Sequence, residues 1–523
     1  MSDASTKVAF TSSAPCANVA RLELDNIQRY GTYARLHHEN RSYTNLEELH
    51  YAGRIARALH DRGVAPGERV VVVLPNLPEL TASFQAVWTI GAVMTPVTPD
   101  WTAAEIAYVL NNSGATVAIT MPQLAGRIRE AAVGNRNINH LLAFGDTDVP
   151  GFQNIGPEVS EGRGIETPVD RSATNMALLL YTSGTTAKPK GVVVTHGNIP
   201  PAMEAVHRVN PDLPRKPMLH VLPLTHVFGC LMLQLANLWG FQSVLMRQFE
   251  PVATFEAIQR WQVGYVFVVP TMLVDLLHHP ARVHYDFTSL YRIITGGAPL
   301  PEQLRLSFQQ EFRCRVDQGY GMTETGFASC YGDHESYRKG SVGWPCPGFE
   351  IRIMDDFCRP LPPRATGEIW IQSPSVTPGY WQDPASTREA FSEGWFRTGD
   401  IGYVDEDGYV YITDRKKDLI LKGGENISPR EIEEAIYLHP AVAEAAVVGV
   451  PDRVFGENIC ALIQVRPGAE LSEDEIKDHV CRLLTRFKVP SRVVFHQGLP
   501  KTSSGKINKV AIREQVSAMA KAA

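Results

Sequence analysis

The chain has 523 residues, 44% of them hydrophobic, and a formal net charge of −6. That length favours two or more domains with large buried cores, and the mild negative charge excludes a protein whose business is non-specific nucleic-acid binding. Eight cysteines form no CxxC pair and no Cys/His cluster at zinc spacing, so they read as reduced thiols rather than a disulfide framework or metal site.

Residues 1–20 are small and polar, without a basic start followed by an apolar core, so they are expected to be disordered and not a secretory signal. No run reaches the ~18 apolar residues of a membrane span, and the terminal "KAA" is not a peroxisomal address. A cytoplasmic protein without integral membrane association is expected. From residue 43, "YTNLEELHYAGRIARALHDRG" places Leu49, Ala52, Ala56 and Leu59 on one helical face, with Thr44 and Glu47 as a capping box and Gly63 past the end. "RVVVVLP", a helical "ELTASFQAVWTIGA", "VMTPV", a helix from Ala103 and "ATVAIT" follow, then "ALLLY", "LHVLPL", "YVFVVP" and "RIITGGA". Continuous Val/Ile/Leu runs between helices predict parallel sheets covered on both faces. The stretch "VGYVFVVPTMLVDLL" reads as core.

After residue 340 the texture changes. "GEIWIQ" and "GYVYITD" predict a smaller antiparallel unit, and the charged "DRKKD" (414–418) reads as a boundary. Beyond it, "SPREIEEAIYLHP" predicts a helix with Ser428 as N-cap, Pro429 in the first turn and Glu431 closing a capping box. Strands near 442–450 and 459–465, a helix from Ser472 and a strand at "RVVFH" complete a compact α+β unit. The expected fold is α/β. A large multi-subdomain N-terminal part (1–414) would hold parallel sheets and a small antiparallel unit, a hinge would span 415–418, and a small mobile α+β domain would span 419–523.

Four loops carry candidate chemistry. "YTSGTTAKPKG" (181–191) offers hydroxyls, glycine amides and lysines to a phosphate. It fits no Walker loop, because "VVVTH" follows as strand rather than helix; a polar hairpin connection is the alternative. "DQGYGMTETG" (317–326) presents a flat face at Tyr320, a hydroxyl at Thr323 and a carboxylate at Glu324 suited to Mg²⁺ beside a phosphate. "GWFRTGDIG" (394–402) places Asp400 to accept two ribose hydroxyls, or to stabilise its own turn. In "PKTSSGKINK" (500–509) Lys506 follows Gly505 in a polar loop that can deliver a point charge, unless the stretch is a solvated tail. His226 in "LPLTHVFG" is either a gate over a pocket or a buried histidine bonded to backbone. "TGGAPLP" (295–301) is a ligand-facing wall or a simple turn.

Together with "DRKKDLILKGGENISPREIE", these motifs resemble, in order and spacing from about residue 25 to 515, the adenylate-forming superfamily of acyl-CoA synthetases, peptide-synthetase adenylation domains and luciferases. The likeness is greatest to acyl-CoA synthetases acting on fatty or aromatic acids. The resemblance implies that a carboxylate attacks the α-phosphate of ATP, giving an acyl-adenylate and pyrophosphate, and that the thiol of coenzyme A then displaces AMP. It assigns Thr182, Ser183, Gly184, Thr185, Thr186 and Lys190 to the β- and γ-phosphates. Glu324 is assigned to Mg²⁺, Tyr320 to adenine, Thr323 to the α-phosphate, and Asp400 with Arg415 to the ribose. Gly297, Ala298, Pro299, Gly319, Gly321 and Met322 join the nucleotide-binding set. Lys506, with His226, Thr323 and Glu324, forms the catalytic set, Lys506 bridging carboxylate and α-phosphate. Lys417 falls at the hinge, and Gly423 and Gly424 would line the pantetheine tunnel after the C-terminal domain rotates.

For the acid, the implied pocket is His226, Val227, Phe228, Gly229, Thr271, Gly296 and Gly297, extended by Ala298 and Met322. Val227 offers no charge to a substrate ammonium where amino-acid-activating domains have an aspartate, and the walls suit a sizeable hydrophobic acid. Ala187 stands where the family commonly has glycine. An enzyme confined to the second step, using a preformed adenylate, therefore stays open at this point. So do delivery to a carrier-protein thiol and a non-catalytic nucleotide sensor. A homodimer is expected from base rates alone.

Overall fold

The computed structural model describes residues 18–182, 189–332, 336–502 and 504–522. Two seven-stranded sheets dominate the first four hundred residues. One runs, edge to edge, Gln153–Asn154, His140–Ala143, Val117–Thr120, Arg69–Val73, Val93–Val97, Met176–Thr182 and Lys190–Thr195. All its neighbours are parallel except the final hairpin. The other runs Arg315–Gln318, Arg292–Thr295, Tyr265–Val268, Met218–His220, Ser243–Leu245, Ala34–His38 and Arg41–Thr44, parallel except for its last pair. The valine run at 70–73 is buried along its whole length, as a central parallel strand covered on both faces must be.

The predicted helix after residue 44 spans Asn45–Asp61, and Thr44 and Glu47 do form the reciprocal capping box. The expectation of disorder through residue 20 is corrected at 18–20. Val19 and Ala20 are fully buried, and Asn18 Nδ2 donates to the Val169 carbonyl at 2.8 Å. Residues 1–17 lie outside the described residues.

An antiparallel sheet of Glu350–Met354, Gly367–Gln372, Phe391–Ser392, Trp395–Val404 and Val410–Arg415 forms the smaller unit. Beyond residue 419 the chain folds around its own sheet. There Gly456–Val465 pairs antiparallel with Val442–Asp452 and Ile420–Lys422, and parallel with Arg492–Phe495. Helices Pro429–Tyr437 and Glu473–Leu483 cover one face through Ile432, Ile436, Ile476 and Val480. A terminal helix, Lys509–Ala522, covers the other through Ile512 and Val516. That helix was missing from the sequence reading, because the basic loop before it masked its short apolar stripe.

Ser428 caps its helix as expected, but the box stays half formed: the Glu431 carboxylate turns to Lys488 Nζ, at 2.7 and 2.5 Å. A charge-assisted contact to another element outcompetes the local one. Among the described residues, hydrophobic clusters stop at Ile412 and resume at Ile420; none bridges the charged segment between.

Candidate active site

Three neighbouring parallel strands end at one rim. Tyr265–Val268 leads to Pro270 and Thr271, Arg292–Thr295 to Gly296–Pro299, and Arg315–Gln318 to Gly319. Loops beyond the carboxyl ends of parallel strands are where open α/β sheets bind ligands. Here they wall a cavity of about 1550 Å³. Thr182, Lys190, His226, Val227, Phe228, Thr271, Gly296, Gly297, Ala298, Pro299, Gly319, Tyr320, Gly321, Met322, Thr323 and Glu324 line it from the large part. Asp400, Arg415 and Lys417 join from the antiparallel sheet and the segment after it, and Lys506 from the C-terminal loop. Residues scattered over more than three hundred positions thus share one space.

The polar centre has defined geometry. Asp400 and Arg415 are direct cross-strand partners, which sets Arg415 Nε 2.8 Å from Asp400 Oδ1. The Tyr320 hydroxyl donates to Asp400 Oδ2 at 2.7 Å. The Asp400 carboxylate holds the Arg415 guanidinium above its usual range, and burial together with Asp400 pushes the Tyr320 hydroxyl well up, so it stays a donor. Glu324 is buried and accepts from the Tyr380 hydroxyl at 2.9 Å. Burial raises its proton affinity against the pull of that hydrogen bond. Lys190 Nζ stands 5.1 Å from the centre of the Tyr380 ring, a cation–π distance. Sequence reasoning missed Tyr380; its only signal was an aromatic pair behind a glycine in "TPGYWQ" (377–382).

Lys506 reaches this centre from the other side of the boundary. Gly297, at φ +78°, makes the passage: a Cβ there would lie 2.4 Å from Lys506 Cε and 2.7 Å from Nζ. Only glycine combines that backbone angle with that clearance. Burial, with Arg415 nearby, lowers the Lys506 ammonium to about 8. His226 Nδ1 accepts from Phe228 N at 3.3 Å and so caps helix Val227–Trp239. Burial and the Lys506 charge lower it to about 3, so the imidazole is neutral. His226 thus lines the cavity and is also a buried histidine bonded to backbone.

Phe228 packs edge-on against Phe267 and Phe327, at 6.2 and 5.4 Å between ring centres, and a Cβ on Gly296 would lie 3.2 Å from the Phe228 ring. Gly229 is corrected: it does not line the cavity. A Cβ there would meet the Pro223 carbonyl oxygen at 2.4 Å, so this glycine lets its helix pack against the preceding backbone. Gly423 and Gly424, at φ +58° and +86°, stand away from the cavity in this arrangement and are exposed, with the Phe455 and Phe487 rings 3.5 Å from a Cβ on Gly423. Ser183, Gly184, Thr185, Thr186 and Ala187 lie outside the described residues; the strands flanking them, Met176–Thr182 and Lys190–Thr195, pair antiparallel.

The model of the AMP-binding enzyme family matches residues 25–381, and that of the AMP-binding enzyme C-terminal domain matches residues 431–506. A long-chain-fatty-acid–CoA ligase of Bacillus subtilis is 30% identical, over 94% of this chain and 93% of its own length. A feruloyl-CoA synthase of an Amycolatopsis species is 34% identical, over 91% and 95% respectively. The solved structure of ATP-bound MatB from Rhodopseudomonas palustris superposes with a TM-score of 0.88 at 27% identity, covering 96% of this chain and 99% of that one.

Proposed function

Starting from the fact that the chain belongs to the AMP-binding enzyme family, we propose that it is an acid–thiol ligase that activates a hydrophobic carboxylic acid with ATP and passes the acyl group to coenzyme A. The observation that carries this reading is the entry of Lys506 through the Gly297 notch into a cavity that already holds Asp400, Arg415, Glu324 and an aromatic wall.

The first step joins two anions at phosphorus, so positive charge is needed where the transition state gathers negative charge. Lys506 is that charge, placed against the acid carboxylate and the α-phosphate. Asp400, already oriented by Tyr320 and Arg415, accepts the ribose hydroxyls, and Thr323 and Lys190 face the phosphates. Mg²⁺ binds few protein carboxylates and keeps water and phosphate oxygens as its other ligands. A single buried Glu324 held by Tyr380 fits that demand; among the described residues no cluster of three ligating side chains competes for it. Glu324 would hold the ion, which would supply positive charge to offset that of the phosphates.

The second step needs a thiol where Lys506 now stands. The polar, core-free junction at residues 414–418 supports a hinge at Lys417, and rotation about it would withdraw Lys506 and bring Gly423 and Gly424 to the thiol path. The apolar pair Phe228 and Phe327, which lines the cavity with ring centres 5.4 Å apart, supports a hydrophobic acid, as do the fatty-acid and feruloyl substrates of two relatives. Coenzyme A is favoured over a carrier protein by the same relatives.

The test is a pair of half-reactions with a panel of hydrophobic acids: acid-dependent pyrophosphate exchange into ATP, and thioester formation from synthetic acyl-adenylate and coenzyme A. Both are expected to proceed. Lys506→Ala should lower exchange by about 10²–10³-fold and largely spare thioester formation. Equal loss of both would contradict its role. Thioester formation without exchange in the wild-type chain would instead support the reading based on Ala187.

A further inference from the structure

Helix Pro270–His278 belongs to the large part of the molecule, yet one face of it holds the loop that carries Lys506. Thr271 Oγ1 donates to the Gly505 carbonyl at 2.6 Å. One turn on, Asp275 Oδ2 lies 3.8 Å from Lys501 Nζ. Positions 271 and 275 are four apart and so share a helical face. On the loop side, Lys501 and Gly505 bracket the tight turn that presents Lys506. Within it Gly505 N donates to Thr502 O at 2.9 Å, and Thr502 N donates to Lys506 O at 2.7 Å. Gly505 lies close against the same helix, since a Cβ there would stand 3.1 Å from Val269 Cγ2 and 3.4 Å from Met272 Cε.

Lys501 has a second carboxylate partner. Glu444, buried on strand Val442–Asp452, places Oε1 3.3 Å from Lys501 Nζ. Neither Glu444 oxygen accepts a hydrogen bond from any described residue. A buried carboxylate without its cation is costly, so Glu444 keeps Lys501 aimed along this edge. Glu444 and Lys501 both lie beyond the hinge and would rotate together. Asp275 would stay behind, which makes it the member of the trio that senses domain orientation.

We propose that Asp275 is a positioning residue: its contact with Lys501, alongside the Thr271–Gly505 hydrogen bond, latches the C-terminal domain in the orientation that serves adenylation. This rests on the role of Lys506 given above. The Asp275–Lys501 pair is long and half exposed on both sides, so its contribution is small. Weakness suits the task, because a two-state element serves two successive steps only when neither state is strongly favoured.

The full-length chain tests this directly. Asp275→Asn should lower pyrophosphate exchange about two- to five-fold, and Asp275→Lys, which repels Lys501, should lower it further. Thioester formation from preformed acyl-adenylate should be unchanged or faster in both. KM for ATP and acid should stay put, since Asp275 touches neither, and Asp275→Glu should keep the wild-type ratio of the two half-reactions. Small-angle scattering of the free protein should show Asp275→Lys shifted from the wild-type domain arrangement. Parallel loss of both half-reactions, full exchange activity in Asp275→Lys, or an unaltered scattering curve would overturn the latch. Lys506→Ala, run beside these, separates the two ideas. If it retains exchange, the role of Lys506 fails, while scattering still reports on Asp275.

Discussion

Gly297 and Lys506 are 209 positions apart, and the Lys506 side chain fills the space that a Cβ on Gly297 would take. Gly297→Ala adds a methyl where the lysine stem passes, at a backbone angle that costs an L side chain about 1–2 kcal/mol. Its expected effect is a fall in pyrophosphate exchange of about ten-fold or more. In the Lys506→Ala background the same change should add little further loss; additive losses in that double-mutant cycle would mean the two residues do not interact. Lys506 also sets a pH limit. Its ammonium is lowered to about 8 by burial, and only the cation stabilises the first transition state. The kcat/KM for ATP in exchange, which reports the free enzyme, should therefore be flat on the acid side of that value and fall as pH rises through it. A profile level to pH 10 would contradict the assignment. Lys506 itself was legible from sequence through its motif, whereas the Gly297 notch was not, because clearance is a property of two distant segments.

Between residue and domain, the helix Pro429–Tyr437 links the C-terminal unit back to the antiparallel sheet that ends at Arg415. Ser428 accepts from Glu431 N at 3.3 Å and donates to Asp414 Oδ2 at 2.7 Å, while Arg430 donates to the Ile412 carbonyl. The cap therefore serves both the helix and the junction. Ser428→Ala should cost about 1 kcal/mol, seen as a lower midpoint in the first calorimetric transition, whereas Ser428→Thr should retain most of it. The cap position was readable from "SPRE", since capping is decided within four residues. The partner of Glu431 was not, since Lys488 is 57 positions away. The hairpin Met176–Thr182/Lys190–Thr195 shows the same division. Its strands followed from composition and its polar turn, while its place at the edge of a parallel sheet did not.

At the scale of the molecule, polar contacts joining the two sides of the proposed hinge include Thr271–Gly505, Asp275–Lys501 and Ser428–Asp414. Polar interfaces permit relative motion, as the proposed domain rotation would need. Asp275 and Glu444 belong to this scale. Neither sits in a recognisable motif. Tyr380 went unread for a related reason, its role being to hold another residue, Glu324, in place.

The sequence by itself determined the parallel α/β architecture, the change of texture near residue 340, the compact C-terminal unit and the family, because apolar periodicity, capping and short motifs are local and survive in one dimension. Tertiary structure alone decided that Asp400 and Arg415 stand opposite each other across two strands, that Gly229 serves packing rather than the cavity, and that Lys506 enters beside Gly297. It alone also brought Asp275, Lys501 and Glu444 into one cluster. Those outcomes depend on strand register and on how distant segments pack together, and both are set by contacts between residues that lie far apart along the chain.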